Sequence, residues 1–347
     1  MEKIRFAVCG TGWRSLFYVR AARLLPERFE LTGVLCRTKD RARKYAGEHG
    51  VKTFHTLDAL LETEPEFVVS CVSKAGMAQM VMELLRRGMP TLSETPYAIE
   101  REVLRELLAV QKETGTLLDV AEQYFLFPMH QARRALIGRG LLGDVHSCWL
   151  SMMHDYHGAS VLRWYLGEEN GPVALRARQK KTPIIVTGGR GGYVTDGEEG
   201  EEIRTYAHFD YADGRLGAYD FSGTQYHSAI RSNHVRILGT RGEIFDDEVR
   251  YLTEENRPIT ERLIARQDML TGTIASVSFA GETVYRNPFP ASLPMNEDEI
   301  AVCHVLVRMG DAVRGGARHY PLMWGAADCA LSMAMHEAAQ TGETVIC

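Results

Sequence analysis

Apolar residues first come in short unbroken runs separated by helical stretches. Ile4 to Cys9 is a mostly apolar run ending at Gly10-Thr11-Gly12, which predicts a strand buried on both faces and then a tight turn. Trp13 to Leu25 reads as a helix, Phe29 to Cys36 as a second strand, and Lys39 to Glu48 as a helix. Lys52 to Phe54 and Glu66 to Val72 are further strands, with a short helix from Leu57 to Leu61 between them. Met77 to Arg87 reads as a helix stopped by Gly88, where a residue without Cβ closes the last turn. Thr91 to Ser93 is a strand, Val103 to Thr114 a helix stopped by Gly115, and Leu117 to Ala121 a strand. Strands alternating with helices predict an α/β domain with a parallel, doubly wound sheet over residues 1–122.

Beyond residue 122 the period changes. Met129 to Ile137 and Ser160 to Leu166 read as helices, and Val145 to Met153 as a strand. Tyr206 to Tyr211, Gly217 to Phe221 and Val235 to Leu238 alternate in polarity, with turn signals at Asp213-Gly214 and at Gly239 to Gly242. Such alternation predicts an antiparallel sheet with one covered face. Helices from Glu297 to Val313 and from Trp324 to Thr341 end the chain. Residues 123–347 therefore read as an α+β domain with a large, mostly antiparallel sheet. Thr187 to Glu202, rich in Gly, Asp and Glu, reads as a mobile loop.

Composition narrows the class. The chain has 347 residues, enough for two domains. Its net charge of −5, without a basic run interleaved with aromatics, argues against a nucleic-acid partner. No stretch is long and apolar enough to span a bilayer, so no membrane partner is expected. Seven scattered cysteines without a CxxC pair suit reduced thiols, and the N-terminus lacks the pattern of a secretory signal, so a cytoplasmic location is expected.

The chemistry starts at Gly10-Thr11-Gly12-Trp13-Arg14-Ser15, a GxGxx(small) motif between a strand and a helix. Gly10 permits the turn. Gly12 lets a pyrophosphate approach the helix N-terminus, and Ser15 is small enough for close packing. Trp13 reads as packing at the mouth of that site. At the end of the second strand, Cys36 stands where NAD-specific proteins carry an acid, followed by Arg37, Thr38 and Lys39. A missing carboxylate and an added guanidinium favour NADP, with NAD as the alternative if Arg37 only stacks on adenine. Gln123 and Tyr124 follow the last strand of the first domain, where ligands gather in such sheets. His154-Asp155-Tyr156-His157 has zinc-type residues but no third group at ligand spacing, so no metal is expected. Asp155 is a candidate to orient His157 or to bind a substrate hydroxyl. Tyr226, His227 and Arg231 form either a polar binding cluster or a solvated sheet edge.

Taken in order, these segments resemble the glucose–fructose oxidoreductase/inositol dehydrogenase (Gfo/Idh/MocA) family. The resemblance rests on Gly10-Thr11-Gly12, Phe67 to Val72, Gly88 with Glu94-Thr95-Pro96, and Ala121-Glu122-Gln123-Tyr124 with Pro128. It continues through Gly143-Asp144-Val145, His157 with Leu162 to Gly167, and Val235 to Ile244. It implies an N-terminal Rossmann domain and a C-terminal domain whose open sheet shapes the substrate pocket and the oligomer interface. It also implies that Val72, Ser73, Glu94 and Pro96 border the cofactor.

This chain departs from the family pattern in three places. Thr95 replaces the family lysine of the Glu-Lys-Pro motif, and Met153 falls where an aspartate often precedes the histidine. Lys74 stands in place of an asparagine near the cofactor ribose. The resemblance implies an NAD(P)-dependent oxidoreductase acting on a small sugar, polyol or related hydroxy compound. His157 would move the hydroxyl proton, assisted by Lys74 or Tyr124. Two alternatives stand beside it: redox-assisted elimination or glycoside cleavage with tightly bound cofactor, and a non-catalytic nucleotide-binding regulator. A homodimer or homotetramer through the C-terminal sheet is expected, because an open apolar face needs covering.

Overall fold

The computed structural model describes residues 2–167, 171–189 and 191–347. They divide into two compact units. Unit 1 comprises residues 1–127, 271–273 and 292–329, and unit 2 comprises 128–270, 274–291 and 330–347. The chain thus returns to the first unit after building most of the second.

Unit 1 opens with β1 (Ile4–Cys9), α1 (Ser15–Leu24), β2 (Phe29–Leu35), α2 (Lys39–His49), β3 (Thr53–Phe54) and α3 (Leu57–Leu61). It continues with β4 (Phe67–Ser70), α4 (Lys74–Arg86), β5 (Thr91–Ser93), α5 (Arg101–Thr114) and β6 (Leu118–Val120). The strands form one parallel sheet in the order β3-β2-β1-β4-β5-β6. The order reverses between β1 and β4, which leaves a crevice at their carboxyl ends. Phe6, Ala7, Val8 and Cys9 are fully buried, as the unbroken apolar run requires. Local chemistry sets the helix ends. Thr38 caps α2 by accepting from Arg41 N, and Gly50 ends it in the left-handed region.

Unit 2 contains α6 (Pro128–Gly138), β7 (Val145–Ser151), α7 (Asp155–Leu166), β8 (Val173–Ile185), β9 (Gly188–Gly189), β10 (Gly192–Tyr193), β11 (Glu199–Tyr211) and β12 (Leu216–Ser222). It then runs through β13 (His234–Gly239), β14 (Gly242–Phe245), β15 (Glu248–Leu252), β16 (Pro258–Arg262), β17 (Ile264–Gln267), β18 (Ile274–Phe279) and β19 (Glu282–Arg286). The helices α8 (Glu297–Val313) and α9 (Leu322–Thr341) follow, and β20 (Val345–Ile346) ends the chain. Helix α8 belongs to unit 1, and its start carries a capping box between Asn296 and Glu299. The large sheet of unit 2 has the order β16-β15-β14-β13-β7-β12-β11-β8-β20 and is antiparallel except for β7 with β12. The strands β17, β18 and β19 form a separate small sheet.

Helix α7 lies on one face of the large sheet. A Cβ on Gly158 would sit 2.6 Å from the Tyr219 ring, and one on Gly217 3.3 Å from Leu162. Leu162 and Tyr165 are almost wholly buried, each contributing about 1.5–3 kcal/mol of apolar transfer. Around β11 and β12 the opposite face is laced with ion pairs, Arg204 with Asp220 at 2.6 Å and Arg176 with Asp210 among them. This differs from the apolar open face that the alternation suggested: the polar positions of these strands bear charges of both signs, which pair along the sheet.

Several boundaries differ from the expectations. Helix α7 starts at Asp155, five residues before its predicted start, so Asp155 lies in its first turn. Helix α4 starts at Lys74, three residues early. The stretch read as a mobile loop holds the small β9–β10 hairpin and the first residues of β11. Arg190, within that stretch, lies outside the described residues. The strands β15 to β17, short and rich in charge, carry too little alternation to be read from sequence.

Candidate functional sites in the two units

The glycine turn of unit 1 sits at the crevice between β1 and β4. Gly10 has φ +116°, and a Cβ there would lie 2.5 Å from Cys71 O, so only glycine fits. Gly12 differs: a Cβ on it would meet nothing within 4 Å. It faces open space in front of α1, whose N-cap residue, Arg14, makes no side-chain capping bond. An uncapped helix N-terminus behind a bare backbone is the arrangement that accepts a phosphate. Ser15 is fully buried, bonding Gly12 O at 2.7 Å and the Tyr45 hydroxyl at 2.9 Å, which fits the need for a small third residue.

At the end of β2, Cys36 is buried, and burial pushes its thiol pKa up, so it brings no negative charge. Arg37, Thr38 and Lys39 are exposed, with the Thr38 hydroxyl engaged as the cap of α2. Arg41, outside the glycine motif, joins this end of the site. Its Nε reaches Thr11 Oγ1 and its Nη2 reaches Thr11 O, each at 3.1 Å, and its guanidinium lies 5.6 Å from the Tyr45 ring centre. The Thr38 cap gives the signal for it, since a residue three places beyond an N-cap is on the first helical turn. Trp13 is half exposed and edge-on to Phe17.

On the other side of the crevice Glu94 follows β5. Its Oε1 accepts from Arg14 Nε at 2.8 Å and from the Tyr18 hydroxyl at 2.5 Å, and its Oε2 from Thr95 N at 3.3 Å. The Thr95–Pro96 peptide is cis, and Pro96 is buried while Thr95 is half-buried. Gln123 is buried; with its amide oriented to satisfy both ends, it donates to Ala121 O at 2.8 Å and accepts from Arg14 Nη2 at 3.1 Å. Tyr124 is half-buried and stacked on Phe127 at 4.9 Å. Val72 is half-buried, Ser73 stands at the N-cap position of α4 without a side-chain capping bond, and Lys74 is exposed.

Unit 2 gathers a second polar group around the first turn of α7. His157 is the third residue of that helix, buried, with its ring 4.4 Å from that of Tyr156. The Asp155 carboxylate accepts from His336 Nε2 and, at 3.0 Å, from Ser332 Oγ. Burial alone would raise Asp155, but these hydrogen bonds hold its pKa below the usual value. Ser332 and His336 are one turn apart on α9, a face the i,i+4 spacing predicts, but nothing in the sequence links that face to Asp155. The Tyr226 hydroxyl accepts from His154 N at 3.0 Å, with the two rings 4.9 Å apart. His227 is exposed. Met153 is fully buried, its carbonyl accepting from Tyr219 OH at 2.9 Å, so that position has become core.

Arg231 and Arg204 both bond the buried Glu202 carboxylate, at 2.8 and 3.0 Å. They edge an open hollow of about 470 Å3 on the charged sheet face, also lined by Lys180, Asp220 and His234.

The parallel sheet with its glycine turn defines a dinucleotide-binding unit. Residues 4–122 match the family model described as oxidoreductase family, NAD-binding Rossmann fold (GFO_IDH_MocA). Among curated relatives, it is 26% identical over 144 residues to trans-1,2-dihydrobenzene-1,2-diol dehydrogenase of Xenopus laevis, covering 41% of this chain and 44% of that protein. It is also 26% identical over 127 residues to scyllo-inositol 2-dehydrogenase (NADP(+)) of Bacillus subtilis (strain 168), covering 36% and 38%. The matched region thus spans less than half the length of these relatives. Among solved structures, an oxidoreductase from Agrobacterium radiobacter in complex with NAD+, L-tartaric acid and magnesium superposes with a TM-score of 0.72 at 16% identity. That superposition covers 99% of this chain and 98% of the other, and it shows that the fold extends through both units.

Proposed function

We propose that this protein is an NAD(P)-dependent oxidoreductase acting on a small polyol, sugar or related hydroxy compound. The observation that carries the reading is the pair Gly10 and Gly12: one glycine forced by the backbone beside it, the other needed by nothing in the protein itself. Open space at Gly12 before an uncapped helix suits a pyrophosphate. When bound, the nicotinamide cofactor supplies the hydride-accepting or hydride-donating carbon. Relatives named as diol and inositol dehydrogenases support hydroxyl-bearing substrates.

NADP is the preferred cofactor in this reading. Cys36 offers no acid, while Arg37 and Arg41 offer two guanidinium groups at the end of β2. The relative named with NADP(+) agrees with this choice. His157 is the residue proposed to exchange the hydroxyl proton, since imidazole accepts and donates near neutral pH. Lys74 and Tyr124 are the proposed assisting groups. Asp155, held by His336 and Ser332, is assigned to fixing the first turn of α7 as well as to substrate contact. We also propose a homodimer or homotetramer through the sheet face that exposes Trp149 and Tyr206.

Assays of polyols and sugars with NADP+ and NAD+ test the reading, alongside the His157→Ala variant. The variant is expected to bind cofactor like the wild type and lose about a hundredfold or more in turnover. Full turnover in the variant removes His157 from the chemistry, and a wild type that oxidises no member of the panel defeats the enzymatic reading.

A further inference from the structure

Arg14 is the hub of a cluster inside unit 1 that the glycine motif does not require. Its Nε bonds Glu94 Oε1 at 2.8 Å, its Nη1 bonds Asp298 Oδ2 at 2.7 Å, and its Nη2 donates to the Gln123 amide at 3.1 Å. Phe17 lies beneath the guanidinium at 4.6 Å. The Tyr18 hydroxyl donates to Glu94; burial first, and then the Glu94 charge, hold its pKa well above the usual value, so it remains a neutral donor. One guanidinium faces two carboxylates, and the cluster carries a net single negative charge. The three charged side chains are 17%, 7% and 25% exposed, so water screens them only partly.

Its place in the fold gives this charge a use. Arg14 lies two residues beyond Gly12, Glu94 directly follows β5, and Asp298 is in the first turn of α8. The cluster therefore joins the glycine turn to the β4–β5 side of the switch point. On the function proposed above, on which this inference rests, that side receives the nicotinamide half of the dinucleotide. The oxidised nicotinamide ring carries a positive charge and the reduced ring carries none.

We infer that Arg14, Glu94 and Asp298 form a charge-selective positioning site that binds the oxidised nicotinamide ring in preference to the reduced one. Arg14 holds the two carboxylates in place and cancels one of their charges, leaving the other to face the pyridinium. Lys74, the proposed assisting group at the start of α4, is exposed, so water and salt screen its opposing charge more than that of the partly buried carboxylates.

The test is titration of the full chain with NADP+ and NADPH, and with NAD+ and NADH, in wild type, Asp298→Asn and Arg14→Met. Asp298→Asn removes a negative charge and keeps a polar partner for Arg14. The ratio of oxidised to reduced dissociation constants is expected to rise by about threefold or more. Arg14→Met leaves two carboxylates unbalanced and is expected to shift the ratio the other way. Damage to packing weakens both forms alike and leaves the ratio where it was. If Arg14→Met does not fold, Asp298→Asn decides alone. An unmoved ratio in folded Asp298→Asn, or a shift of the same sign in both variants, overturns the inference. Absence of binding by every nucleotide overturns the function reading, and the inference with it.

Discussion

The carboxylate of Asp155, at the start of α7, accepts a hydrogen bond from His336 Nε2 on α9, 181 positions further along the chain. The two helices are thereby tied beside the buried His157. The Asp155 hydrogen bond raises the His336 pKa above its ordinary value, outweighing burial, while the bonds from His336 and Ser332 lower that of Asp155. The His336 contribution is fully present below its unfolded pKa and is lost as pH rises through the raised folded value. The Asp155 contribution is present above its unfolded pKa and is lost as pH falls through the lowered one. Because His336 is nearly half exposed, the pair is assigned about 1 kcal/mol or less. Melting His336→Gln beside wild type should give a larger destabilisation at pH 6 than at pH 9. Equal losses at both pH values would show that the ion pair contributes nothing.

Gly10 and Gly12 should respond oppositely to alanine. Gly10→Ala forces a Cβ into the Cys71 carbonyl at a φ that alanine disfavours, and should cost about 2–4 kcal/mol of stability. Gly12→Ala meets no protein atom, so its melting temperature should stay within a degree or two of wild type while dinucleotide binding is lost. Calorimetry and nucleotide titration on both proteins separate the two effects. A Gly12→Ala protein that binds nucleotide normally would remove the loop from the site.

Arg41→Ala should weaken NADPH binding by about tenfold or more, the order of a lost charge-assisted bond, with a much smaller effect on NADH. The same loss for both nucleotides would mean that Arg41 serves only to hold Thr11.

The first unit was legible because its signals are local. A strand such as β1 shows as an apolar run, a helix end as Gly88 or Gly115, and the tight turn as two glycines. In the second unit α6, β7, α7 and the strongly alternating strands β11 to β13 were legible. The strands β15 to β17 are four or five residues long and interrupted by charges, which leaves little period to read. The glycine turn between β1 and α1 was legible as a local motif, and His157 stands as a proposal. The residues that support the turn were hidden by distance: Asp298 is 284 positions from Arg14, and both make sense only once α8 folds back onto α1. Thr95 stands out in sequence as a missing cation, whereas the buried guanidinium of Arg14, bonded to the neighbouring Glu94, has no signal beyond the loop motif.

Two exposed aromatic side chains on the otherwise charged sheet face predict how the protein associates. Trp149 and Tyr206 stand exposed beside the Arg204–Asp220 pair. Sedimentation equilibrium at micromolar concentration should give a dimer or tetramer, and Trp149→Glu should shift the mass towards the monomer. A monomeric wild type would exclude this face as a self-association surface.

The central claim is that unit 1 binds a nicotinamide dinucleotide through the glycine turn. Titrating the purified chain with NADPH and NADH, followed by calorimetry or by quenching of tryptophan fluorescence, tests it most directly. Saturable one-to-one binding is predicted, tighter for NADPH and absent in Gly12→Ala. Failure of wild type to bind either nucleotide would contradict the account.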